Sequence, residues 1–537
     1  MERRKFLKST ALISAPLLFN QIPVMASSQL DSKSLEILGS AAAECGKILV
    51  IVQMNGGNDG LNTVFPRDQW GKLSAARSNI LMKETDVLPL NKNPGVGLHP
   101  AMKEMQSLYN NGKLMIVQGV SYPNPSYSHF RATDIWFTGS DSDKSLTTGW
   151  LGRSLNTIYP DFPATYPNVN MPDPLAIQIG STLPFSLQGP TINMAYSVPD
   201  PDDLLNVINA TPDPAPNSDY GKELTFLRLM KDQSNKYRKV IQDAYNRPKP
   251  VSAPYPNKNG LAEQLQIVAR LINGGLKTPI YIVNHPKGFD SHEDQVLDSD
   301  RTKGRQAENL SILSQAIDAF QKDLEIIDKD DLVTGMTFSE FGRRIKSNDS
   351  AGTDHGTVAP VIFFGAALNT GKRNVQGTAH PVSGMIGISP KLPSATDVDD
   401  ELDLQFDFRQ IYATIMQDWL CMTKSQSDQV LGKSFQTLPI FNKRKYNNNA
   451  AYYDDNFMTI YPNPVVNSLI NIQFNDFIKS TLDISIYSIQ GFKVYGNSFP
   501  IDGDYLSFTT NTYLSTGTYI LELIYNETKF IEKIIVL

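Results

Sequence analysis

Five continuous apolar runs constrain this chain more than any other feature: ILVIVQM at 48–54, KLMIVQ at 113–118, TPIYIV at 278–283, LVTGMTF at 332–338 and VIFF at 361–364. A strand that is apolar at every position has no solvent face, so it belongs in a sheet covered on both sides, the usual state of a parallel sheet. The stretches between the runs read as the covering helices. Leu313, Ile317, Phe320, Leu324 and Ile327 fall at spacings of three and four, and Leu261, Leu265, Val268 and Ile272 do the same. Leu98, Met102, Met105 and Leu108 predict a further helix that stops at Gly112. Strand, helix and strand in series predict an α/β domain over 47–445, with a mainly parallel sheet whose ligands sit at the carboxyl ends of its strands. Residues 140–260 are rich in Pro, Asp and Asn and read as surface insertions plus one polar helix near 219–246.

At 537 residues, 41% hydrophobic and 19% charged, the chain has room for more than one domain and a large core. A net charge of −6 gives no basis for a nucleic-acid partner, and no apolar run reaches the length of a membrane-spanning helix. The two cysteines, Cys45 and Cys421, allow one disulfide but no cysteine-framed zinc site. The first 26 residues, MERRKFLKSTALISAPLLFNQIPVMA, have a basic start, an apolar middle and a small-residue end. They read as an export signal, and RRKFLK resembles the twin-arginine signal, with Glu2 where Ser or Thr is usual. An ordinary export signal carrying two arginines is the alternative. Residues 27–46 would lead into the domain.

Composition changes again after Phe441. NKRKYNNNAAYYDDN reads as a linker, assigned to 446–458, and the remaining residues alternate short apolar strands with Gly, Asn and Ser turns. A small β-sandwich over 459–537 is expected. YPNPVVNSL, YSIQGFKVY, LSTGTYIL and the terminal KIIVL resemble the C-terminal sorting domain of type IX secretion. That resemblance implies that the type IX machinery is a partner and that the chain goes to the cell surface or beyond. A carbohydrate-binding sandwich is the competing reading of the same strands.

Acidic and imidazole groups follow the apolar runs one after another. NGGNDG after the first run carries Asp59, in a stretch that simple turn chemistry also explains. SYPNPSYSHFRATD after the second run brings Ser128, His129 and Arg131 to a helix start. There Ser128 either serves as a nucleophile or merely caps the helix, and His129 and Arg131 either bind a substrate anion or pair with Asp134. GFDSHEDQ after the third run holds Asp290 and His292, which alternate onto one side of an extended loop. SEFGRR after the fourth run supplies Glu340, and GTDHG returns Asp354 and His355 just ahead of the fifth. Carboxylates gathered at one sheet edge repel one another unless cations lie between them. A divalent metal (Zn, Ca or Mg) is therefore expected, held by Asp59, Asp290, His292, Glu340, Asp354 and His355. His99, His285 and His380 lack convincing partners.

These motifs, together with TGWLGR and VAPVIFFG, resemble the family called domain of unknown function 1501, placed by resemblance in the alkaline phosphatase and sulfatase superfamily. The resemblance implies a three-layer α/β/α alkaline-phosphatase-like fold, one or two divalent metals and a Ser or Thr nucleophile acting on a small anionic ester. By this resemblance Asp59 is the first-strand ligand and Ser128 the nucleophile, with Ser126 as competitor. Asp290 and His292 form the acid–histidine pair, Glu340 replaces an aspartate ligand, and His355 is the last histidine. Phe341 stands where a histidine ligand is expected, which impoverishes one metal position. No C-x-P-x-R or S-x-P-x-R motif surrounds Ser128, so a sulfatase proper is disfavoured. Two functions follow as expectations: an exported metal-dependent hydrolase of phosphate or related esters, with Arg131, Arg343, Arg344 or Arg153 steadying oxyanion charge, or a non-catalytic surface binding protein with the same fold.

Overall fold

The computed structural model describes residues 45–91, 93–199, 234–247, 253–370, 384–442 and 458–536, except 466–467, 490–491, 511–513 and 526–527. The expected export signal at 1–26, most of the 27–46 segment, His380 and nearly all of the expected 446–458 linker lie outside the described residues.

The strands in chain order are β1 (Ile48–Gln53), β2 (Val64–Pro66), β3 (Leu88–Leu90), β4 (Asn93–Leu98), β5 (Leu114–Ser121), β6 (Ala176–Ile179), β7 (Ala195–Val198), β8 (Ile280–Asn284), β9 (Val333–Phe338), β10 (Arg343–Ser347), β11 (Thr353–His355), β12 (Ala359–Phe364), β13 (Met385–Ile386) and β14 (Phe406–Asp407). The helices used below are α1 (Trp70–Arg77), α2 (Lys103–Asn110), α3 (His129–Thr138), α4 (Trp150–Ile158), α5 (234–246), α6 (Gly260–Asn273), α7 (Arg305–Ile326) and α8 (Phe408–Thr414).

All five apolar runs lie in one nine-stranded mixed sheet, ordered β13-β5-β12-β9-β1-β8-β6-β7 with β14 also on β5. Every described neighbour pair is parallel except those made by β12, which runs antiparallel to both β5 and β9. Central β1 is buried along its whole length because both its faces are covered. Ile48, Val50 and Val52 join a core with Leu265, Val268, Leu313, Ile317 and Met105 from α6, α7 and α2. Ile51 looks the other way, with Ile282 and Met336, toward Phe137, Trp150 and Tyr412 of α3, α4 and α8. Alternation of side chains along the strand thus serves two helical layers.

Three expectations need correction. Leu98 ends a strand rather than opening a helix, and α2 begins only at Lys103. Pro100 is the physical reason, since the residue before a proline is pushed out of the helical region. The 140–260 region is not only surface insertion: β6 and β7 extend the main sheet, and α4 covers it. In α5 a buried stripe of Tyr237, Ile241, Ala244 and Tyr245 makes the helix amphipathic, not merely polar. Cys45 and Cys421 form a disulfide, with Cα atoms 6.1 Å apart, joining the residues just before β1 to those after α8.

The C-terminal strands β15 (Met458–Tyr461), β16 (Leu469–Ser488), β17 (Lys493–Thr509), β18 (Gly517–Tyr525) and β19 (Thr528–Val536) pair antiparallel in one five-stranded sheet. The expected two-sheet sandwich is not what the pairing describes. The 20-residue β16 serves both halves, and a Val465–Val536 bridge brings the edges together, nearly closing a barrel around its own core.

Candidate metal centre

The carboxyl ends of β1, β5, β8 and β9 share one rim, and each releases a loop that carries chemistry. After β1, Gly56 and Gly57 adopt positive φ, and a Cβ on either would meet the Asp290 backbone or the Phe341 ring at 2.4 Å. The Gly-rich turn therefore admits the β8 and β9 loops rather than a ligand. After β5, the chain reaches α3, which starts at His129 and is anchored by Trp136 stacked on Phe408 (4.6 Å) and Phe338 (5.5 Å). Such pairs contribute about 0.5–1.5 kcal/mol each beyond their burial.

Asp290 is the hub of the rim. Its Oδ1 lies 3.1 Å from His292 Nε2 and 3.4 Å from His355 Nε2, and its Oδ2 lies 3.4 Å from His129 Nε2. The two nitrogens of His292 and His355 are 2.9 Å apart. Each imidazole is fixed through its other nitrogen. His129 Nδ1 meets Glu340 Oε1 at 2.7 Å, His292 Nδ1 meets Asp354 Oδ1 at 3.1 Å, and His355 Nδ1 meets the Tyr127 carbonyl at 2.8 Å. With an ion bound, a proton on each Nδ1 would leave the three Nε2 lone pairs facing the Asp290 carboxylate. Asp290 Oδ1, His292 Nε2 and His355 Nε2 stand 2.9–3.4 Å apart, near the roughly 3.3 Å expected between donors of a tetrahedral ion with bonds of about 2.0–2.1 Å. His129, Asp290 and His355 present ligand atoms all within 4.8 Å of one another.

Charge follows the same pattern. Burial alone would raise the Asp290 carboxyl, but the Arg343 guanidinium 2.7 Å away, helped by His292 and His129, holds it down at about 2. The Glu340 hydrogen bond raises His129, against the opposing effect of burial. Burial lowers His355, against the hydrogen bonds to the Tyr127 carbonyl and Asp290. Asp354 is lowered because its bonds to His292 and Asn348 outweigh burial.

The other expected residues are placed differently. Asp59 is fully buried away from this ring: both its oxygens accept from Arg77, at 2.7 and 2.8 Å, and Oδ2 also accepts from Gln295. Glu340 and Asp354 touch the imidazoles on their outer nitrogens. Glu340 additionally accepts from the Gly56 N–H at 2.8 Å. Ser128 precedes α3 with an exposed side chain that makes no capping hydrogen bond. Ser126 Oγ accepts from the Ser128 N–H. Arg131 pairs with Asp134 and donates to the Ser142 and Lys144 carbonyls. Arg343, wholly buried, donates to the carbonyls of Gly56, Gly57, Phe289 and Thr353 as well as to Asp290, clamping three loops together. Arg344 pairs with Asp399 and Glu401, and Arg153 donates to the Thr138, Thr148 and Val430 carbonyls. His99 is buried, and its Nδ1 accepts from Ala101, while His285 bonds Lys287 and the Asn309 carbonyl. Phe341 packs on His129 and His355, with ring centroids 4.9 and 4.5 Å apart. His129, expected to bind a substrate anion or to pair with Asp134, instead joins Asp290 and His355 as a potential ion ligand, a role its sequence context did not assign. The available signal was that it follows an apolar run as the other donors do.

Comparison with known proteins gives two family matches. Residues 229–383 match the family described as Protein of unknown function (DUF1501), and residues 459–537 match the Secretion system C-terminal sorting domain. No curated protein matches the chain. Among solved structures, a protein from work on glycosaminoglycan metabolism by Bacteroides thetaiotaomicron aligns at 11% identity and a TM-score of 0.34, covering 84% of this chain and 90% of that one. A sulfatase from Pseudoalteromonas sp. aligns at 9% identity and a TM-score of 0.32, covering 88% of this chain and 87% of that one. Superpositions this loose carry no argument about activity. The sorting domain implies the type IX secretion machinery and export to the cell surface or the extracellular space. No helix among the described residues is long and apolar enough to cross a membrane. The chain thus carries one segment that matches the DUF1501 family model and a C-terminal segment that matches the secretion sorting-domain model.

Proposed function

We propose that this is an exported, metal-dependent hydrolase of small anionic esters, phosphate esters foremost, built on an alkaline-phosphatase-like α/β/α domain. The observation that carries the reading is the convergence of the His129, His292 and His355 Nε2 atoms on the Asp290 carboxylate, each imidazole oriented from behind. An imidazole-rich set with one carboxylate, itself shared with Arg343, suits zinc or a similar borderline ion better than calcium or magnesium, which take all-oxygen shells. The bound ion would supply Lewis acidity toward an ester oxygen.

The chain's own residues do the rest. Asp290 and the three imidazoles hold the ion, and Glu340 and Asp354 keep His129 and His292 in the ligating tautomer. Arg343 fixes the loops that carry them, and Phe341 shields one side of the imidazoles from water. Ser128, one residue from His129 and with an exposed hydroxyl, is the nucleophile in this reading.

Elemental analysis of the full-length protein should find about one divalent ion per chain, lost in His355→Ala and Asp290→Ala. Chromogenic phosphomonoesters and diesters should turn over, and Ser128→Ala should abolish turnover while leaving the ion in place. A protein that folds without any divalent ion sinks the proposal. Phe341, filling the place beside two imidazoles, favours one specific alternative: a binding protein that keeps the ion but not the reaction. That reading predicts a full ion content with no turnover.

A further inference from the structure

The cleft beside the imidazoles has an apolar wall for which metal binding has no use. It encloses about 480 Å³, and its lining runs from His129, Asp290 and Glu340 to Phe130, Phe137 and Phe185. On α3, Phe130, Thr133, Asp134 and Phe137 are three, four and seven residues apart, so they share one helical face, and all four line the cleft. Phe185 comes from the short 3-10 turn Phe185–Leu187. Phe130 is 90% exposed, although the rest of α3 is well anchored. A single exposed phenylalanine is unremarkable. Three that line the same cleft as His129 and Asp290 are a different matter. The one charge on this face, Asp134, is neutralised by Arg131. A volume of about 480 Å³ is also within the range of sites that hold whole organic molecules, roughly 300–1,000 Å³, and far exceeds a lone tetrahedral anion.

We infer that Phe130, Phe137 and Phe185 form the subsite for the organic part of the ester, and that this part is an apolar ring, an aryl group, held beside its anionic end. The inference rests on the hydrolase reading of the imidazole cluster. That reading places the anion against His129 and Asp290, and α3 then leads from His129 along the phenylalanine face. Ring-on-ring contact with Phe130 would cover a surface now in water, which gives the free protein a reason to leave it uncovered.

The test is equilibrium binding of two non-hydrolysable probes, phenylphosphonate and methylphosphonate, to the full-length protein and to Phe130→Ala, by calorimetry. Phenylphosphonate should bind the natural protein roughly tenfold more tightly than methylphosphonate. In Phe130→Ala that ratio should fall toward one, with methylphosphonate affinity unchanged. Phe130 makes so little internal contact that the variant should fold normally. Equal affinity for both probes in the natural protein overturns the subsite and leaves the metal reading standing. Tight phenylphosphonate binding that Phe130→Ala does not weaken overturns it as well. Binding of neither probe refutes the anion site, and the subsite falls with it.

Discussion

Replacing Asp59 by alanine separates two roles that the sequence alone could not tell apart, metal ligand and structural counter-ion. In the folded chain Asp59 and Arg77 have side-chain exposures of 0% and 1%, and one guanidinium nitrogen donates to both carboxylate oxygens. Arg77 also donates to the Ile345 and Arg344 carbonyls, so the pair ties α1 and the β1 turn to β10. Asp59→Ala strands a buried guanidinium, and breaking a buried pair from one side costs about 3–5 kcal/mol. Unfolding entropy of ~2.1 cal/mol/K per residue over a ~400-residue domain turns 4 kcal/mol into a fall in Tm of about 5 °C. Differential scanning calorimetry reads that shift, and elemental analysis of the folded variant reads its ion content. The expected outcome is a lowered Tm with the ion retained. A variant that keeps its Tm within about 1 °C but loses the ion would refute the argument, because Asp59 would then serve as a ligand and not as the counter-ion of Arg77.

Asp354→Asn should weaken metal affinity by about 10–100-fold without abolishing it, because it removes the carboxylate that orients His292 and leaves the ligating nitrogens in place; a chelator competition titration measures this. His99 gives the pH dependence of stability. Burial pushes it down to about 4 from 6.5, against the opposing charge of Asp59, so the unfolded chain takes up its proton first as pH falls. Its contribution is whole above pH 6.5 and is lost toward pH 4, to a limit of about 3 kcal/mol. Denaturant unfolding at pH 7, 5.5 and 4 should therefore show a shallower decline in His99→Gln than in the natural chain, and equal slopes would refute the assignment.

Much of the scaffold was legible because its signals are local. Continuous apolar runs marked β1, β5, β8, β9 and β12, and three-and-four spacing marked α6 and α7. The four-residue β6 and β7 escaped because strands that short, set among Pro, Asp and Gly, carry no periodicity to read. Leu98 was misread because its spacing to Met102 imitates a helix while Pro100 forbids one.

What the sequence determined by itself is the inventory and its order: apolar strands, each followed or preceded by acid and imidazole groups, and a tail with the motifs of a sorting domain. What only the tertiary structure decided is which of those groups meet. His355 precedes its apolar run, and on a parallel strand it would stand at the opposite edge of the sheet from Asp290. It reaches the same rim because β12 runs antiparallel, and the β10–β11 hairpin pairs it across from Arg343. Asp59 follows its run just as Asp290 does, yet it turns away because Arg77, 18 residues later, lies buried beside it. Strand direction and the choice of counter-ion are settled by distant contacts and by the cost of leaving a charge unpaired in the core, and neither leaves a mark on the local sequence.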